Sequence, residues 1–118
     1  MTGSEKDIAE RTFQFAIRIV RLVGSIPKTS AGAVIARQLM RSGTSVGANV
    51  EEAQAASSKK EFCRRMEIAQ SEARETLYWL RLTAETGQLT KPRMAALIGE
   101  ADELVRILTA IAKRSRGR

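Results

Sequence analysis

Apolar residues recur along the chain at intervals of three and four positions, which is the repeat of an amphipathic α-helix. The last such stretch is the clearest, since its apolar positions fall on a single helical stripe. No stretch alternates between apolar and polar positions, as a half-buried β-strand would. The pattern therefore predicts helices and no sheet. That last stripe contains Met94, Leu97, Ile98, Ala101, Leu104, Val105, Leu108, Ile111 and Ala112.

Three breaks divide the periodic pattern into four long segments. The first is at Pro27, because proline disfavours helix at the residue before it. The second precedes Ser58, which has the spacing of a capping box with Glu61. The third contains Gly87 and Pro92, which suit the end of one helix and the first turn of the next. The predicted helices span residues 4–25, 30–56, 58–86 and 90–114.

Long helices joined by loops of a few residues pack as antiparallel neighbours. At 1.5 Å per residue, each predicted helix is about 33–44 Å long. A chain of 118 residues is large enough for one core and too small for two ordinary domains. The sequence therefore predicts a single all-α domain over residues 1–118, an antiparallel up-down-up-down four-helix bundle.

The composition excludes several classes of function. The chain has no histidine, and its one cysteine is Cys63. It thus lacks the commonest general base and metal ligand, and a bundle di-iron site cannot be built in its usual form. Cys63 has no histidine to activate it, so an inert thiol is expected. We expect no catalytic site, no metal and no cofactor, and hence no enzyme.

Membrane and secretory signals are absent from the sequence. No uninterrupted apolar run approaches the roughly 20 residues that a membrane span needs. The N-terminal residues contain no apolar segment typical of a secretory signal. A lone cysteine fits a reducing compartment. We therefore expect a cytoplasmic protein that does not contact a membrane.

Positive charge exceeds negative charge, with 20 Lys and Arg against 13 Asp and Glu. Four cations lie in the segment 113–118, which is predicted as a basic C-terminal tail. This tail either contacts nucleic-acid phosphates or is a solvated, frayed end, and both interpretations stay open. A second group of cations begins the third helix. The candidate nucleic-acid contacts are Lys59, Lys60, Arg64, Arg65, Lys113, Arg114, Arg116 and Arg118.

Two predicted helices are more apolar than a lone bundle requires. The first spreads its apolar residues over about half of its circumference, whereas a surface helix needs a stripe of about 100°. The third has a second row beside its core stripe, and an exposed Trp79 in this row would indicate an interface. Scattered surface hydrophobes are the alternative. The sequence favours a homo-oligomer. The candidate interface residues are Phe13, Ile17, Val20, Ile68, Glu72, Glu75, Trp79 and Leu82.

Small and polar residues of the second helix indicate helix contacts. Ala36, Gly43 and Gly47 fall about a turn or two apart, which favours the close approach of another helix. Asn49 borders the apolar stripe, where an amide usually bonds to a neighbouring helix. The row of Ser45, Asn49 and Glu52 is expected to meet Glu72 and Glu75 in structural pairing, and a row that lines a ligand groove is the alternative. Four glutamates are expected to pair with arginines at subunit interfaces or on the surface, and a bound hard cation is the alternative. The glutamates are Glu52, Glu72, Glu75 and Glu100, and the expected arginines are Arg41, Arg74, Arg81 or Arg106.

The second and third helices also resemble a known family. The run from Arg37 to Gln54 is similar to the signature of the four helix bundle protein family, also known as the rRNA intervening-sequence protein family. Stretches 58–62, 71–76 and 79–82 match its following block, and 98–108 resembles its last helix. The resemblance covers about residues 13 to 113.

This resemblance implies an antiparallel bundle that assembles as a pentameric, barrel-like ring. Members are encoded within intervening sequences of some bacterial large-subunit rRNA genes or stand alone, mostly without an assigned activity. A related protein, the accessory variability determinant of diversity-generating retroelements, is a basic pentamer associated with a reverse transcriptase and nucleic acid. Many members have glycine where this chain has Ala53, so the second helix is expected to continue past this residue.

Together, the residues and the resemblance predict a non-enzymatic, oligomeric bundle protein. The favoured function is a ring-shaped scaffold that contacts RNA, DNA or a nucleic-acid enzyme through basic surfaces. The alternative is an oligomeric scaffold for a protein partner with no nucleic-acid role.

Overall fold

The computed structural model describes residues 3–117, with side chains from Ile8 onward. These residues form four α-helices and no strand. Successive helices pack on one another and the bundle measures 46 × 21 × 20 Å. The predicted all-α antiparallel four-helix bundle is therefore confirmed. The helices are α1 (Gly3–Val23), α2 (Ser30–Gln54), α3 (Lys59–Glu85) and α4 (Lys91–Arg116).

Three helices begin at hydroxyl caps. The side chains of Thr29, Ser58 and Thr90 each accept a hydrogen bond from the backbone N–H three residues later, at 3.0, 3.1 and 3.4 Å. These bonds satisfy one of the N–H groups that the first turn of a helix leaves without a partner. The starts of α2, α3 and α4 thus follow from local side-chain chemistry.

Helix ends differ from the sequence prediction. α1 ends at Val23 rather than at residue 25, because the N–H of Ser25 bonds to the carbonyl of Leu22 at 2.9 Å and Ile26 turns into the core. α2 ends at Gln54 rather than at residue 56, past Ala53 as expected, and the α3 cap Ser58 follows after three residues.

The segment predicted as a C-terminal tail is largely helical. α4 continues to Arg116 instead of ending at residue 114, and the N–H of Gly117 bonds to the carbonyl of Lys113 at 2.9 Å. Ile111 and Ala112 are buried, which keeps this last turn against the bundle. Arg118 lies outside the described residues. Residues 113–116 therefore form a helix end rather than a frayed tail.

α1 and α2 pack at close range because α2 has glycine at the contact. A Cβ built on Gly43 would lie 2.8 Å from Cγ1 and Cγ2 of Ile19, and one on Gly47 would lie 3.1 Å from the carbonyl oxygen of Thr12. The helix that approaches these small residues is α1. Since larger side chains would push the two helices apart, the glycines set the spacing on this side of the bundle.

α1 and α4 share the smallest interface of the four neighbouring pairs, and an ion pair joins them. Arg11 donates to both carboxylate oxygens of Glu100, at 2.7 and 3.2 Å, and to Glu103 at 3.4 Å. The hydrogen bonds to Glu100 raise the pKa of Arg11 above its ordinary value. The prediction that Glu100 pairs with an arginine of the later helices is wrong, because the bundle brings α1 beside α4.

None of the described helices combines the length and the apolar character needed to cross a membrane.

Candidate nucleic-acid interface

The antiparallel fold brings the start of α3 and the end of α4 together. Two groups of cations that are far apart in the sequence thereby line one open groove of about 660 Å³, here called the α3–α4 groove. This groove lies at the end of the bundle that carries the α2–α3 connection, the start of α1 and the end of α4. Its lining residues are Lys59, Lys60, Cys63, Arg64, Glu67, Ser115 and Arg116.

The cations of this region differ in how far their charge is already matched. Arg116 forms an ion pair with Glu67, and Arg65 pairs with Glu61 at 3.0 Å. These pairs reduce the positive charge that a ligand would encounter. By contrast, the other five cations of this region form no ion pair with any residue that the structure describes. These are Lys59, Lys60, Arg64, Lys113 and Arg114.

Not every predicted contact lies in the groove. Lys113 and Arg114 are exposed on the last turn of α4 but do not line it. Cations in this turn also interact favourably with the C-terminal end of the helix dipole. Arg65 points toward α2, where its Nη1 donates to Oδ1 of Asn49 at 3.2 Å. The groove itself therefore depends on Lys59, Lys60 and Arg64, with Arg116 across from them.

Cys63 lies in the same groove and is half-buried. Its sulfur is 4.0 Å from the carbonyl oxygen of Ala112. The inert thiol stays a prediction. Among the described residues, no group of three His, Cys, Asp or Glu side chains is arranged to hold a metal ion.

Among the polar residues of α2, Arg41 meets two of its expected partners on α3, whereas Asn49 has other partners than the expected ones. Arg41 lies against Glu72, at 3.4 Å, and forms an ion pair with Glu75. Asn49 donates to the carbonyl of Ser45 at 2.9 Å and accepts from Arg65, so it does not meet the two glutamates. The antiparallel packing places the start of α3 beside the end of α2, which explains these partners.

Glu52, the last member of the predicted row, is exposed. Within the described residues it forms no ion pair, neither with Arg41 nor with another cation. Its expected pairing with an arginine is not formed within the chain, and a pairing at a subunit interface stays a prediction. Glu52 lies in the last turn of α2, and its side chain faces solvent.

The candidate interface residues of α3 are largely used within the chain. Nε1 of Trp79 donates to Glu75 at 3.0 Å, and the side chains of Trp79 and Leu82 pack partly against the core. Glu72 and Glu75 are held by Arg41 from α2. Ile68 is half-buried. The second row of α3 is thus partly covered by the bundle itself.

The candidate interface residues of α1 are more exposed. Phe13 is 55% exposed and Val20 is 47% exposed, while Ile17 is half-buried. Phe13 lines a hollow of about 280 Å³ together with Ala16 of α1 and with Thr44, Gly47, Ala48 and Glu51 of α2. Met40 on α2 is also exposed and was missed by the sequence analysis. We call the surface of Phe13, Ala16, Val20, Met40 and Ala48 the α1–α2 face.

Sequence analysis also missed a basic groove between α1 and α4. Arg18, Arg21 and Arg93 line it, with a volume of about 250 Å³. The signal was available, because the stretch from Arg18 to Arg37 contains no acidic residue. These cations are spaced out along the sequence rather than adjacent, so no local pattern marks them as one group.

These observations define the class: an antiparallel four-helix bundle protein with open basic grooves at its ends. The chain belongs to the 23S rRNA-intervening sequence protein family, whose model matches residues 4–110. The family resemblance of the second and third helices is thereby confirmed.

A crystal structure of a protein of unknown function from the S23 ribosomal protein family of Bacteroides thetaiotaomicron has the same fold. It is 34% identical, with a TM-score of 0.86, and the match covers 93% of this chain and 98% of that one. No curated protein matches the chain.

Proposed function

We propose that this chain is a non-enzymatic binding protein that assembles through its α1–α2 face and contacts nucleic acid through its α3–α4 groove. The observation that carries the proposal is the convergence of Lys59, Lys60 and Arg64 with Arg116 on one open surface. Cations without acidic partners attract the phosphate backbone, and each neutralised phosphate releases condensed counterions. Such contacts need no particular base sequence.

Assembly strengthens this proposal. Phe13 and Val20 are exposed on the outer side of α1, where a second subunit would cover them. The family resemblance implies a ring of five. In a ring the α3–α4 groove is repeated in each subunit, and several weak phosphate contacts on one nucleic acid then act together as avidity.

A protein scaffold is the second candidate, and one surface favours it. Tyr78 is 57% exposed and packs edge-to-face on Trp79, with ring centroids 5.1 Å apart. Tyr78, Arg81 and Leu82 line a small hollow near the end of α3. Aromatic residues and arginine are enriched at protein interfaces. A protein complex held by such a surface weakens little with salt, whereas a phosphate-driven complex weakens steeply.

Salt-dependent binding tests the nucleic-acid contact. Affinity for fluorescent RNA and DNA oligonucleotides is measured between about 50 and 200 mM salt, a range over which phosphate contacts weaken markedly. The double variant Lys60→Gln, Arg64→Gln should reduce the slope of log affinity against log salt by about one to two units. The control, Arg74→Gln with Arg106→Gln, removes the same charge from the outer sides of α3 and α4. Equal losses in both variants, or no binding by the wild type, would contradict the proposal.

Light scattering tests the assembly. The wild type should have a mass that is a multiple of the 13.0 kDa subunit. Val20→Glu should lower it, because an unpaired charge buried in an apolar contact costs several kcal/mol, about 2–7 in transfer data. Gln14→Glu places the same charge on an exposed position of α1 outside the face and should leave the mass unchanged. A wild-type mass of one subunit would refute assembly.

A further inference from the structure

The net charge of the chain is concentrated at one end of the bundle. We call this end, which carries the loop between α1 and α2 and the loop between α3 and α4, the loop end. The α3–α4 groove described above lies at the opposite end of the bundle. Residues 18–37 contain four cations and no acid, and residues 78–97 contain three cations and one acid, Glu85. These two stretches account for six of the seven net positive charges. The other residues are nearly balanced, with thirteen cations against twelve acids.

The cations of the loop end are arranged around a groove. Arg18 and Arg21 of α1 and Arg93 of α4 line the α1–α4 groove with three apolar side chains, and no acidic residue is among its lining. Nη2 of Arg93 donates to Oγ of Ser25 at 2.7 Å, which holds this guanidinium beside the end of α1. The acid of this end, Glu85, pairs with Lys91 at 3.5 Å. The three arginines have no ion-pair partner within residues 8–117.

The position of Arg93 in α4 does not stabilise that helix. Cations are favourable in the last turn of a helix, as Arg21 is in α1, but unfavourable in the first turn. Arg93 and Lys91 occupy the first turn of α4, which contains no acidic residue. A cation held at an unfavourable helix position, facing two others across a groove, is the arrangement expected for an anion site.

We propose that the α1–α4 groove is a second nucleic-acid contact, in which Arg18, Arg21 and Arg93 bind backbone phosphates. This inference rests on the proposed function and assigns it an additional surface. Guanidinium groups bind phosphate through paired N–H donors, and here they are not matched by carboxylates. In the α3–α4 groove, Arg116 is already paired with Glu67. The lining of the α1–α4 groove therefore offers three guanidinium groups and no carboxylate, whereas the lining of the α3–α4 groove includes Glu67.

The experiment compares two triple variants that remove equal charge. Arg18→Gln, Arg21→Gln, Arg93→Gln changes the loop end, and Lys59→Gln, Lys60→Gln, Arg64→Gln changes the α3–α4 groove. Binding to a fluorescent 20-nucleotide single-stranded RNA is measured against salt. We expect the loop-end variant to lose about two units of slope and at least about tenfold in affinity near 100 mM salt. The other variant should lose less.

Two further measurements make the result decisive. Circular dichroism and thermal melting show whether each variant is folded. The charge-retaining variant Arg18→Lys, Arg21→Lys, Arg93→Lys should recover most of the salt slope, because three positive charges return to the same groove.

The outcomes separate the two proposals. If the loop-end variant binds like the wild type while the α3–α4 variant loses slope, this inference is wrong and the proposed function stands. If the lysine variant has the same reduced salt slope as the glutamine variant, the loss does not come from the positive charge of these residues, and their contact with phosphate is also refuted. If the wild type shows no salt-dependent binding to RNA or DNA, the proposed function fails and the inference fails with it.

Discussion

At the residue scale, the glycines of α2 allow α1 to pack closely because they have no side chain. At Gly43 a Cβ would press on Cγ1 and Cγ2 of Ile19, a fully buried β-branched side chain. These atoms are close to the backbone and cannot swing away as the end of a long side chain would. The packing therefore depends on glycine here, even though glycine costs about 1 kcal/mol in helix propensity.

We expect Gly43→Ala to lower the free energy of unfolding by about 1–3 kcal/mol, the usual range for overpacking a core. Gly99→Ala in α4 is the control, because a Cβ there meets nothing within 4 Å. This control should stabilise the protein by about 0.5–1 kcal/mol through helix propensity alone. Urea unfolding measures both. Stabilisation by both substitutions would show that α1 can move away from α2.

Buried hydroxyl groups link α2 to α3. Ser42 and Thr76 are fully buried, and their hydroxyl oxygens are 2.9 Å apart. Each hydroxyl also lies near a carbonyl of its own helix, Ser42 at 2.8 Å from that of Gln38 and Thr76 at 2.7 Å from that of Glu72. Each hydroxyl has one proton, so one of the two donates to its carbonyl and the other donates across the contact between α2 and α3. Thr76→Val keeps the shape of the side chain and should cost about 1 kcal/mol, the net value of one hydrogen bond.

Thr86→Val serves as the control for this substitution. Thr86 is exposed at the end of α3 and bonds only to the carbonyl of Leu82, in its own helix. Its replacement should change the free energy of unfolding by less than about 0.5 kcal/mol. Thermal and urea unfolding compare the two variants. Equal effects would mean that the contact between Ser42 and Thr76 adds nothing.

At the element scale, the cap of α3 determines where that helix begins. Ser58→Ala removes the acceptor for the N–H of Glu61 and should cost about 1 kcal/mol. Ser57→Ala, one residue earlier and exposed, should change stability by less than about 0.5 kcal/mol. Because the start of α3 also supplies Lys59 and Lys60, fraying in the cap variant should weaken nucleic-acid binding as well. A cap variant as stable as the control would contradict this account.

The ion pair between α1 and α4 matters because these helices otherwise touch least. Arg11→Met should lower the free energy of unfolding by about 1 kcal/mol, since a partly buried, two-point pair is worth more than an exposed one. Arg106→Met is the control. Its pair with Asp102 lies within one helix and is largely exposed, so its loss should have almost no effect.

The effect of Arg11→Met should not depend on pH in the neutral and alkaline range. Glu100 raises the pKa of Arg11 in the folded protein, so its stabilising charge is complete below the ordinary arginine range and is lost only above it. The difference in free energy of unfolding from the wild type should therefore stay constant between about pH 7 and 10. A difference that disappears within this range would assign the effect to another group.

At the scale of the whole molecule, the cations of the loop end repel one another. Salt screens this repulsion over about 10 Å at 0.1 M. Raising NaCl from about 10 to 150 mM should therefore raise the melting temperature of the wild type. The variant Arg18→Gln, Arg21→Gln, Arg93→Gln should show a smaller increase. Equal salt responses would show that the loop-end charges are too well solvated to interact.

The sequence by itself determined the four helices, their order and the family. Hydrophobic repeats and caps such as Ser58 act over three or four residues, so they can be recognised without a fold. Only the tertiary structure decided the partners of the charged residues. Glu100 pairs with Arg11, 89 residues away, and Asn49 with Arg65 instead of Glu72.

The positions of the two basic grooves also depend on the tertiary structure. Arg116 comes to lie beside Glu67, near Lys59 and Lys60, only because α3 and α4 are antiparallel. Arg93 comes to face Arg18 only because α4 closes the bundle against α1. α4 continues to Arg116 because Ile111 and Ala112 are buried. Such contacts depend on the rotation and relative register of whole helices, which no local pattern along the chain specifies.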